Sequence, residues 1–395
     1  MGPKRPIIRL RPREGRRVKS GAPWAFSNEI VMDAEAKSLA SGSLVELKAD
    51  DGAALGAGYF NSKSLIAVRL LAASETDIDR AFLAGRIRRA LGLREAFFER
   101  PFYRLVHAEG DLLPGLVIDR FGDACVVQIT TAGMERLIDD VLAALDETVA
   151  PALVILRNDM PSRALEGLES YVRVAKGDAP DRLEVEENGI RYFADLKAGQ
   201  KSGWYYDQRD NRRFAATLAK GKRVLDAYCY TGGFSVLAAV QGAAEVSGID
   251  SSASALELAK ESASANGVVN VCNFKKADVF EFLERSALEK KLFDLVIADP
   301  PPFAPSRKDI ETGARAYRKL ARLAAGVVAP DGYLMLASCS HNVSLERFQL
   351  ECALGIARAG KTARLIREGG AGADHPVHPL LPETAYLKTL TYAVD

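Results

Sequence analysis

The sequence predicts an α/β protein in which a β-rich segment and a mixed α+β segment precede a doubly wound sheet. Three observations lead to this fold class. The last part of the chain alternates apolar strand candidates with helical stretches. The first part has short apolar runs separated by Gly and Asp turns. The 395-residue length is too great for one ordinary core and suits two or three domains.

The first predicted domain covers residues 1–73. Apolar runs at 44–47 and 65–71 alternate with turns such as Asp50-Asp51-Gly52, which is typical of short strands. This region should therefore be a small β-rich domain.

The second predicted domain covers residues 74–185. Apolar side chains recur at helical spacing over 79–98, and a second helix is predicted at 134–145. Strand candidates share an apolar, β-branched composition and lie at 115–119, 124–130 and 153–157. Together they predict a central α+β domain that ends in the charged, Gly- and Pro-containing stretch 176–181.

The third predicted domain covers residues 186–395 and carries the doubly wound sheet. Its five strand candidates are separated by helical stretches and lie at 223–228, 245–250, 271–276, 293–299 and 332–339. Two more candidates, 363–367 and 386–393, have no convincing helix between them, so they should pair antiparallel at one edge. The result is a seven-stranded sheet, whereas a dinucleotide dehydrogenase has six parallel strands.

Composition excludes several classes of protein. Hydrophobic residues make up 48% and charged residues 27%, which fits a globular protein and neither a disordered nor a fibrous one. The five cysteines lie far apart without C-x-x-C spacing, so neither a zinc site nor a disulfide framework is expected, and no metal site is predicted. The start lacks a secretory signal and no run reads as a membrane span, so a cytoplasmic location is expected.

Residues 1–20 are strongly basic, with eight Lys or Arg and one Glu. Such a cluster is either a solvated tail or an edge that binds nucleic-acid phosphates. Composition alone does not choose between the two.

The ends of the predicted parallel strands indicate a nucleoside site. Ligands of open α/β sheets bind at the carboxyl ends of the strands. Asp226, Asp250 and Asp278 stand at the ends of three successive strands, and Gly232-Gly233 allows a tight turn. Each acid alone could be a helix N-cap, but three at successive strand ends favour a ligand site. Both the G-x-G-x-x-G fingerprint and the phosphate loop are missing here, which predicts a nucleoside without a pyrophosphate.

These residues resemble the motifs of class I S-adenosylmethionine-dependent methyltransferases. The resembling stretches are LDAYCYTGGFSV (motif I), GIDSS (II), KADVF (III), ADPPPF (IV) and SCSH (VI). AGQKSGWYYDQRDNR, residues 198–212, is similar to motif X of the PUA-domain ribosomal RNA large-subunit cytosine-5 methyltransferases. VKSGAPWAFSNEI and GAGYFNSKSLIAVRLL resemble the ends of that family's PUA domain, and LVHAEGDLLPGLVIDRFGDACVVQ resembles its central insert. The resemblance covers nearly the whole chain.

The resemblance implies a Rossmann-like methyltransferase domain behind an N-terminal PUA domain, with S-adenosyl-L-methionine as the cofactor. It implies cofactor binding by Asp226, Tyr228, Gly232, Asp250, Ser251, Asp278, Asp299, Gln200 and Ser202. It implies substrate binding by Pro300, Pro301, Phe303, Lys201 and Arg209. Phe303 could stack on the target base or serve as a core residue.

The resemblance also implies a nucleophile. Carbon 5 of cytosine is a poor nucleophile, so an enzyme adds a thiolate to carbon 6 first. Family members that methylate this atom carry the cysteine at the position of Cys339, with Asp299 hydrogen-bonded to the flipped base. Cys229 in motif I is the rival thiol, and its structural role is preferred. The base that takes the carbon-5 proton stays open between His341, Asp299 and water.

Three further functions compete with a cytosine-5 methyltransferase of 23S rRNA. They are a methyltransferase of a guanine ring nitrogen, a non-catalytic RNA-binding assembly factor, and a nicotinamide oxidoreductase, which the missing fingerprint disfavours. A ribosomal RNA partner follows from the resemblance, which is also compatible with a homodimer. No membrane partner is expected.

Overall fold

The structure, a computed structural model, describes residues 4–195 and 203–395. These residues form two compact units, one made of 4–181 with 373–384 and the other of 182–195, 203–372 and 385–395. The units therefore do not coincide with the three predicted segments. The division into three domains stays our proposal.

Within the described residues, the first unit contains ten strands and five α-helices. The strands are β1 (Ile7–Arg9), β2 (Trp24–Phe26), β3 (Ser43–Lys48), β4 (Ala54–Phe60), β5 (Ile66–Ala72), β6 (Phe102–His107), β7 (Leu116–Phe121), β8 (Ala124–Ile129), β9 (Leu153–Asn158) and β10 (Tyr171–Lys176). The helices are α1 (Arg16–Lys19), α2 (Ala34–Ser38), α3 (Arg80–Glu95), α4 (Ala132–Arg136) and α5 (Ile138–Thr148). They build one sheet in the order β1-β3-β4-β5-β2 and another in the order β10-β9-β8-β7-β6.

A buried carboxylate ties the two predicted N-terminal segments into this unit. Glu166 accepts hydrogen bonds from Asn61 at 2.9 Å and Ser64 at 2.6 Å, and it pairs with Arg69 at 2.9 Å. All three partners lie in the first segment and Glu166 lies in the second. A buried charge is stable only when it is paired and hydrogen-bonded, so these contacts hold the segments together.

The basic N-terminal segment is part of the first sheet. β1 pairs in parallel with β3, and Arg5 donates hydrogen bonds to the carbonyl oxygens of Ser74 and Thr76. A solvated tail is therefore the wrong description of its described residues.

The segment 373–384 belongs to the first unit because its polar groups are satisfied there. The carbonyl oxygen of Asp374 accepts from Arg94 at 2.8 Å, and its carboxylate accepts from the amide of Arg104 at 3.0 Å. The rings of His375 and His107 pack at 4.9 Å. The sequence placed this segment within the third domain because such partners lie about 270 residues away.

The described part of the second unit contains nine strands and six α-helices. The strands are β11 (Leu183–Glu187), β12 (Ile190–Ala194), β13 (Arg223–Ala227), β14 (Glu245–Asp250), β15 (Cys272–Lys276), β16 (Phe293–Ala298), β17 (Val328–Ser338), β18 (Ala363–Gly369) and β19 (Lys388–Val394). The helices are α6 (Arg209–Thr217), α7 (Gly233–Val240), α8 (Ala253–Ala265), α9 (Val279–Leu288), α10 (Ile310–Gly326) and α11 (Leu345–Arg358).

The sheet of this unit confirms the predicted fold class. Seven strands follow the order β15-β14-β13-β16-β17-β19-β18. The first five are parallel, and β19 runs antiparallel to both β17 and β18. β13 and β16 are buried because helices cover both faces of a parallel sheet. The strand order reverses between them, which makes their carboxyl ends the switch point where ligands bind.

None of the helices among the described residues has the length and apolar character that crossing a membrane requires.

Candidate functional site

The turn after β13 has a constrained backbone. Tyr228 and Tyr230 have φ angles of 67° and 47°, a left-handed conformation that costs a side-chain-bearing residue about 1–2 kcal/mol. The amides of Tyr228 and Cys229 both donate to the carbonyl oxygen of Ile249, at 2.9 and 3.0 Å. Such strain concentrates at functional sites, where the surrounding structure compensates for it.

Asp226 is buried at the end of β13. One of its carboxylate oxygens accepts hydrogen bonds from the amide and hydroxyl of Ser235, at 3.0 and 2.6 Å. Burial raises the pKa of Asp226 to about 6. Its other oxygen and the hydroxyl of Thr231 are buried without a hydrogen-bond partner among residues 4–195 and 203–395. Buried polar atoms need partners, so these two atoms fit a polar ligand at this turn.

Two more acids lie at the neighbouring strand ends. Asp250 is half-buried and accepts from the amides of Tyr230 and Ser252, both at 2.9 Å. Asp278 caps α9 through the amide of Glu281 at 3.0 Å, so the capping interpretation is correct for one of its oxygens. A carboxylate has about four acceptor positions, so both can still accept hydroxyl or amino donors. Ser251, next to Asp250, is exposed.

These groups fit an adenosine-bearing zwitterion such as S-adenosylmethionine. Asp250 and Asp278 offer acceptors for ribose hydroxyls and an adenine amino group, and Asp226 offers one for an ammonium group. Gly232 adopts a left-handed backbone conformation, with φ 81°. A side chain at this position would place its Cβ 3.0 Å from the Cβ of Ala259, which is too close. The turn therefore requires glycine.

Asp299 follows β16 beside this turn, and its amide donates to the carbonyl oxygen of Ala227 at 3.3 Å. Burial raises the pKa of Asp299 to about 7, and the negative charge of Asp207 adds to this effect. A hydrogen bond from Gln208 opposes it. The side chain therefore exists in both protonation states near neutral pH.

Cys339 follows β17, the next strand of the sheet. Its Sγ lies 4.0 Å from the carbonyl oxygen of Pro300, in the loop that begins with Asp299. The two loops are also joined through Ser340, whose Oγ lies 3.2 Å from the amide of Ala304 and 2.8 Å from the hydroxyl of Tyr317. The structure thus brings together the loops of the two predicted catalytic residues.

The predicted substrate residues differ in their surroundings. Pro300 is buried and Pro301 is exposed. Phe303 is half-buried, with its ring 4.9 Å from that of Tyr317 and 6.1 Å from that of Phe280. It contributes to core packing, and its stacking on a base stays a prediction.

Arg209 lies at the start of α6, with its guanidinium 3.9 Å from Glu187 and 5.3 Å above the ring of Tyr206. A role in binding substrate is a prediction for this residue too. Gln200, Lys201 and Ser202 lie outside the described residues.

Sequence reasoning missed Tyr386 and Lys388. The hydroxyl of Tyr386 donates to Asp207 at 2.5 Å, and its ring stacks on His341 at 5.2 Å. Lys388 donates to two carbonyl oxygens of the loop after Cys339. Both residues stand in the stretch ETAYLK, where no local sequence pattern indicates a chemical role.

Cys229, the rival thiol, is buried, and burial raises its pKa well above the usual range. A thiol in such surroundings stays protonated and unreactive. This supports the structural role.

Comparisons with known proteins identify the family. The model of the S-adenosylmethionine-dependent methyltransferases matches residues 154–365, and that of the PUA-like domain matches residues 8–73. Ribosomal RNA large subunit methyltransferase I of Shewanella denitrificans is 36% identical over 98% of this chain and 99% of its own length. The protein of the same name from Tolumonas auensis is 37% identical over 93% of this chain and 94% of its own.

Solved structures share the fold. A protein from Streptococcus mutans described as an S-adenosylmethionine-dependent methyltransferase has a TM-score of 0.83 at 21% identity, covering 98% of this chain and 99% of its own. A structure described as a methyltransferase in complex with S-adenosylhomocysteine has a TM-score of 0.84 at 21% identity, with the same coverage. The chain belongs to the family of S-adenosylmethionine-dependent methyltransferases with a PUA-like domain that includes the ribosomal RNA large subunit methyltransferase I proteins.

Proposed function

We propose that this protein methylates carbon 5 of a cytosine in large-subunit ribosomal RNA, with Cys339 as the nucleophile. The 4.0 Å approach of the Cys339 Sγ to the Pro300 carbonyl carries this proposal, because it sets the thiol beside the loop of Asp299. The names of the full-length relatives support a ribosomal RNA substrate.

The thiolate of Cys339 would add to carbon 6 of the cytosine, and the electron pair of the 5,6 double bond would make carbon 5 nucleophilic. S-adenosylmethionine, when bound, supplies an electrophilic methyl group on a sulfonium. Loss of the carbon-5 proton to a base then restores the double bond and expels the thiolate, so the cysteine is regenerated.

Asp299 is suited to hold the cytosine in this reaction. A neutral carboxyl group donates one hydrogen bond and accepts another, which matches the ring nitrogen and the exocyclic amine of cytosine. The raised pKa of Asp299 keeps part of the protein in this neutral form near pH 7. Donation to the ring nitrogen would stabilise the charge that develops as the thiolate adds.

The strand-end groups would hold the cofactor. Asp250 and Asp278 would accept hydrogen bonds from the nucleoside, and Asp226 from the ammonium group. Tyr228, Gly232, Ser251 and Asp299 complete the proposed cofactor contacts among the described residues, and Gln200 and Ser202 are proposed by resemblance alone.

The PUA-like domain and its basic first segment would bind RNA phosphates. The target base would be flipped out of its stack to reach Asp299. A cytoplasmic location and a homodimer stay predictions.

The proposal is tested by incubating the protein with labelled S-adenosylmethionine and unmodified large-subunit rRNA, then identifying the methylated nucleoside by mass spectrometry. Wild type and Cys229→Ala should form 5-methylcytidine, and Cys339→Ala should form none. A methylated guanosine, or full activity of Cys339→Ala, would overturn the cytosine-5 mechanism. Absence of both methylation and S-adenosylmethionine binding would instead indicate a non-catalytic RNA-binding factor.

A further inference from the structure

Lys388 closes the loop that carries Cys339. It is the first residue of β19 and lies opposite Ser338, the last residue of β17. Its ammonium donates 2.8 Å hydrogen bonds to the carbonyl oxygens of Ser340 and Val343. One side chain thereby fixes the backbone immediately after the cysteine at two points.

The same ammonium places a charge near the thiol. Burial lowers the pKa of Lys388, and interaction with the negative charge of the Cys339 thiolate opposes that effect. Electrostatic interaction is mutual, so the ammonium favours the thiolate form of Cys339 to the same extent.

Within residues 4–195 and 203–395, the other titratable groups that face Cys339 carry no positive charge near neutral pH. Tyr205 and Tyr317 interact with the thiolate, and burial raises the pKa of both, so they are neutral at pH 7 to 8. Asp299, in the adjacent loop, becomes negative as pH rises through about 7. His341, two residues beyond the cysteine, is exposed and stacks on Tyr386.

We propose that Lys388 is a positioning residue for Cys339, which holds the loop over residues 340–343 and stabilises the thiolate. This inference rests on the proposed function, because it gives the thiol a catalytic task. An ammonium has three donors, and two of those of Lys388 are committed to the loop, which fixes the position of its charge.

The test measures the alkylation rate of Cys339 by iodoacetamide from pH 6 to 10, resolved by peptide mass spectrometry. The thiolate is the reactive form, so the midpoint of the profile reports the pKa of this thiol. Lys388→Met should raise the midpoint and slow alkylation at pH 7 by about three- to tenfold. Lys388→Arg, which keeps the charge, should retain a midpoint near that of wild type, and its methylation kcat should exceed that of Lys388→Met.

Lys361→Met is the matched control. Lys361 is also half-buried and donates to a carbonyl oxygen of β17, that of Val328, at 3.4 Å. Its replacement should leave the midpoint unchanged. Lys388→Gln is a second neutral variant in case the methionine variant does not fold, and thermal unfolding checks each protein.

An unchanged midpoint in a folded neutral variant would overturn the proposal, as would an equal rise in Lys388→Arg and Lys388→Met. These outcomes are independent of the proposed function, because alkylation requires neither RNA nor cofactor. Methylation by Cys339→Ala would overturn the assignment of Cys339 as the nucleophile. It would not affect the finding that Lys388 stabilises the Cys339 thiolate, which the alkylation profile measures.

Discussion

The hydroxyl of Tyr386 donates a 2.5 Å hydrogen bond to the carboxylate of Asp207. The two residues are 179 positions apart, and the contact stabilises a charged Asp207 in a buried position. That negative charge contributes to the raised pKa of Asp299. The proton affinity of the proposed base-binding carboxyl group therefore depends on residues at the far end of the chain.

Replacing Asp207 by Asn should shift the pH dependence of methylation. Removal of the negative charge lowers the pKa of Asp299, so its neutral form is lost at lower pH. If that form binds the cytosine, the alkaline limb of the plot of kcat/KM against pH should shift to lower pH by about one unit. Asp210→Asn is the control, because Asp210 pairs with Arg213 at a solvent-exposed position. An alkaline limb that stays in place in Asp207→Asn would refute this role of the charge.

Asp299→Asn should slow methylation, because an amide N–H is a weaker hydrogen-bond donor than a carboxyl O–H, and it should stabilise the fold at high pH. A carboxyl group whose folded pKa of about 7 exceeds its unfolded value binds its proton more tightly in the folded state. The stabilising contribution of the Asp299 proton is therefore lost as pH rises from about 4 to about 7, and the amide variant lacks this loss. We expect the Tm of the variant to exceed that of wild type by about 2–4 °C at pH 8. A Tm difference that does not change between pH 4 and pH 8 would contradict the burial argument.

Gly232→Ala should weaken S-adenosylmethionine binding by roughly tenfold, because the substitution strains a left-handed residue by about 1–2 kcal/mol and crowds Ala259. Isothermal titration calorimetry measures the affinity. Gly242→Ala is the matched control, with φ 92° and only a lysine side chain near the added Cβ. It should lose stability and keep its affinity. Equal losses of affinity in both variants would show that Gly232 has no specific role at the site.

Glu166→Gln should destabilise the first unit by about 2–3 kcal/mol, because it removes the charge that pairs with Arg69 at 2.9 Å and leaves this guanidinium with the more distant carboxylate of Glu109, at 3.8 Å. Urea denaturation followed by tryptophan fluorescence measures the loss, because Trp24, whose indole N–H bonds to Glu109, reports on this unit and Trp204 on the other. Binding of S-adenosylmethionine should persist, since the strand-end acids lie in the second unit. A stability equal to that of wild type would show that the pair contributes nothing.

Much of the fold follows from local sequence pattern. The five parallel strands and the antiparallel edge pair are predicted within a few residues, because buried strands are apolar and end at glycines and acids. The largest differences are the strands for which the sequence pattern gives no candidate, namely β1, β2, β4, β6, β10, β11 and β12, and the predicted helix at 134–145, which is divided into α4 and α5. β10 is an edge strand, and its Val172 and Val174 are exposed although the strand is apolar, so the usual link between apolar pattern and burial fails there.

The residues of the site also fall into those that the sequence predicts and those that it does not. Asp226, Asp250, Asp278, Asp299 and Cys339 each stand at the end of a strand or just after it, so topology alone predicts that they share one edge. Tyr386 and Lys388 contribute through pairing of β19 with β17, and no local pattern indicates which distant loop an edge strand contacts. Partners of this kind are long-range and become visible only in the structure.

Covalent trapping of RNA tests the central claim most directly. An RNA substrate carrying 5-fluorocytidine has fluorine in place of the carbon-5 proton, so a cysteine adduct that has been methylated cannot be released. Wild type and Cys229→Ala, incubated with this RNA and S-adenosylmethionine, should form a denaturation-resistant complex whose linked peptide contains Cys339. Cys339→Ala should form none. A complex through any other residue, or methylation of this RNA without trapping, would contradict the thiolate mechanism.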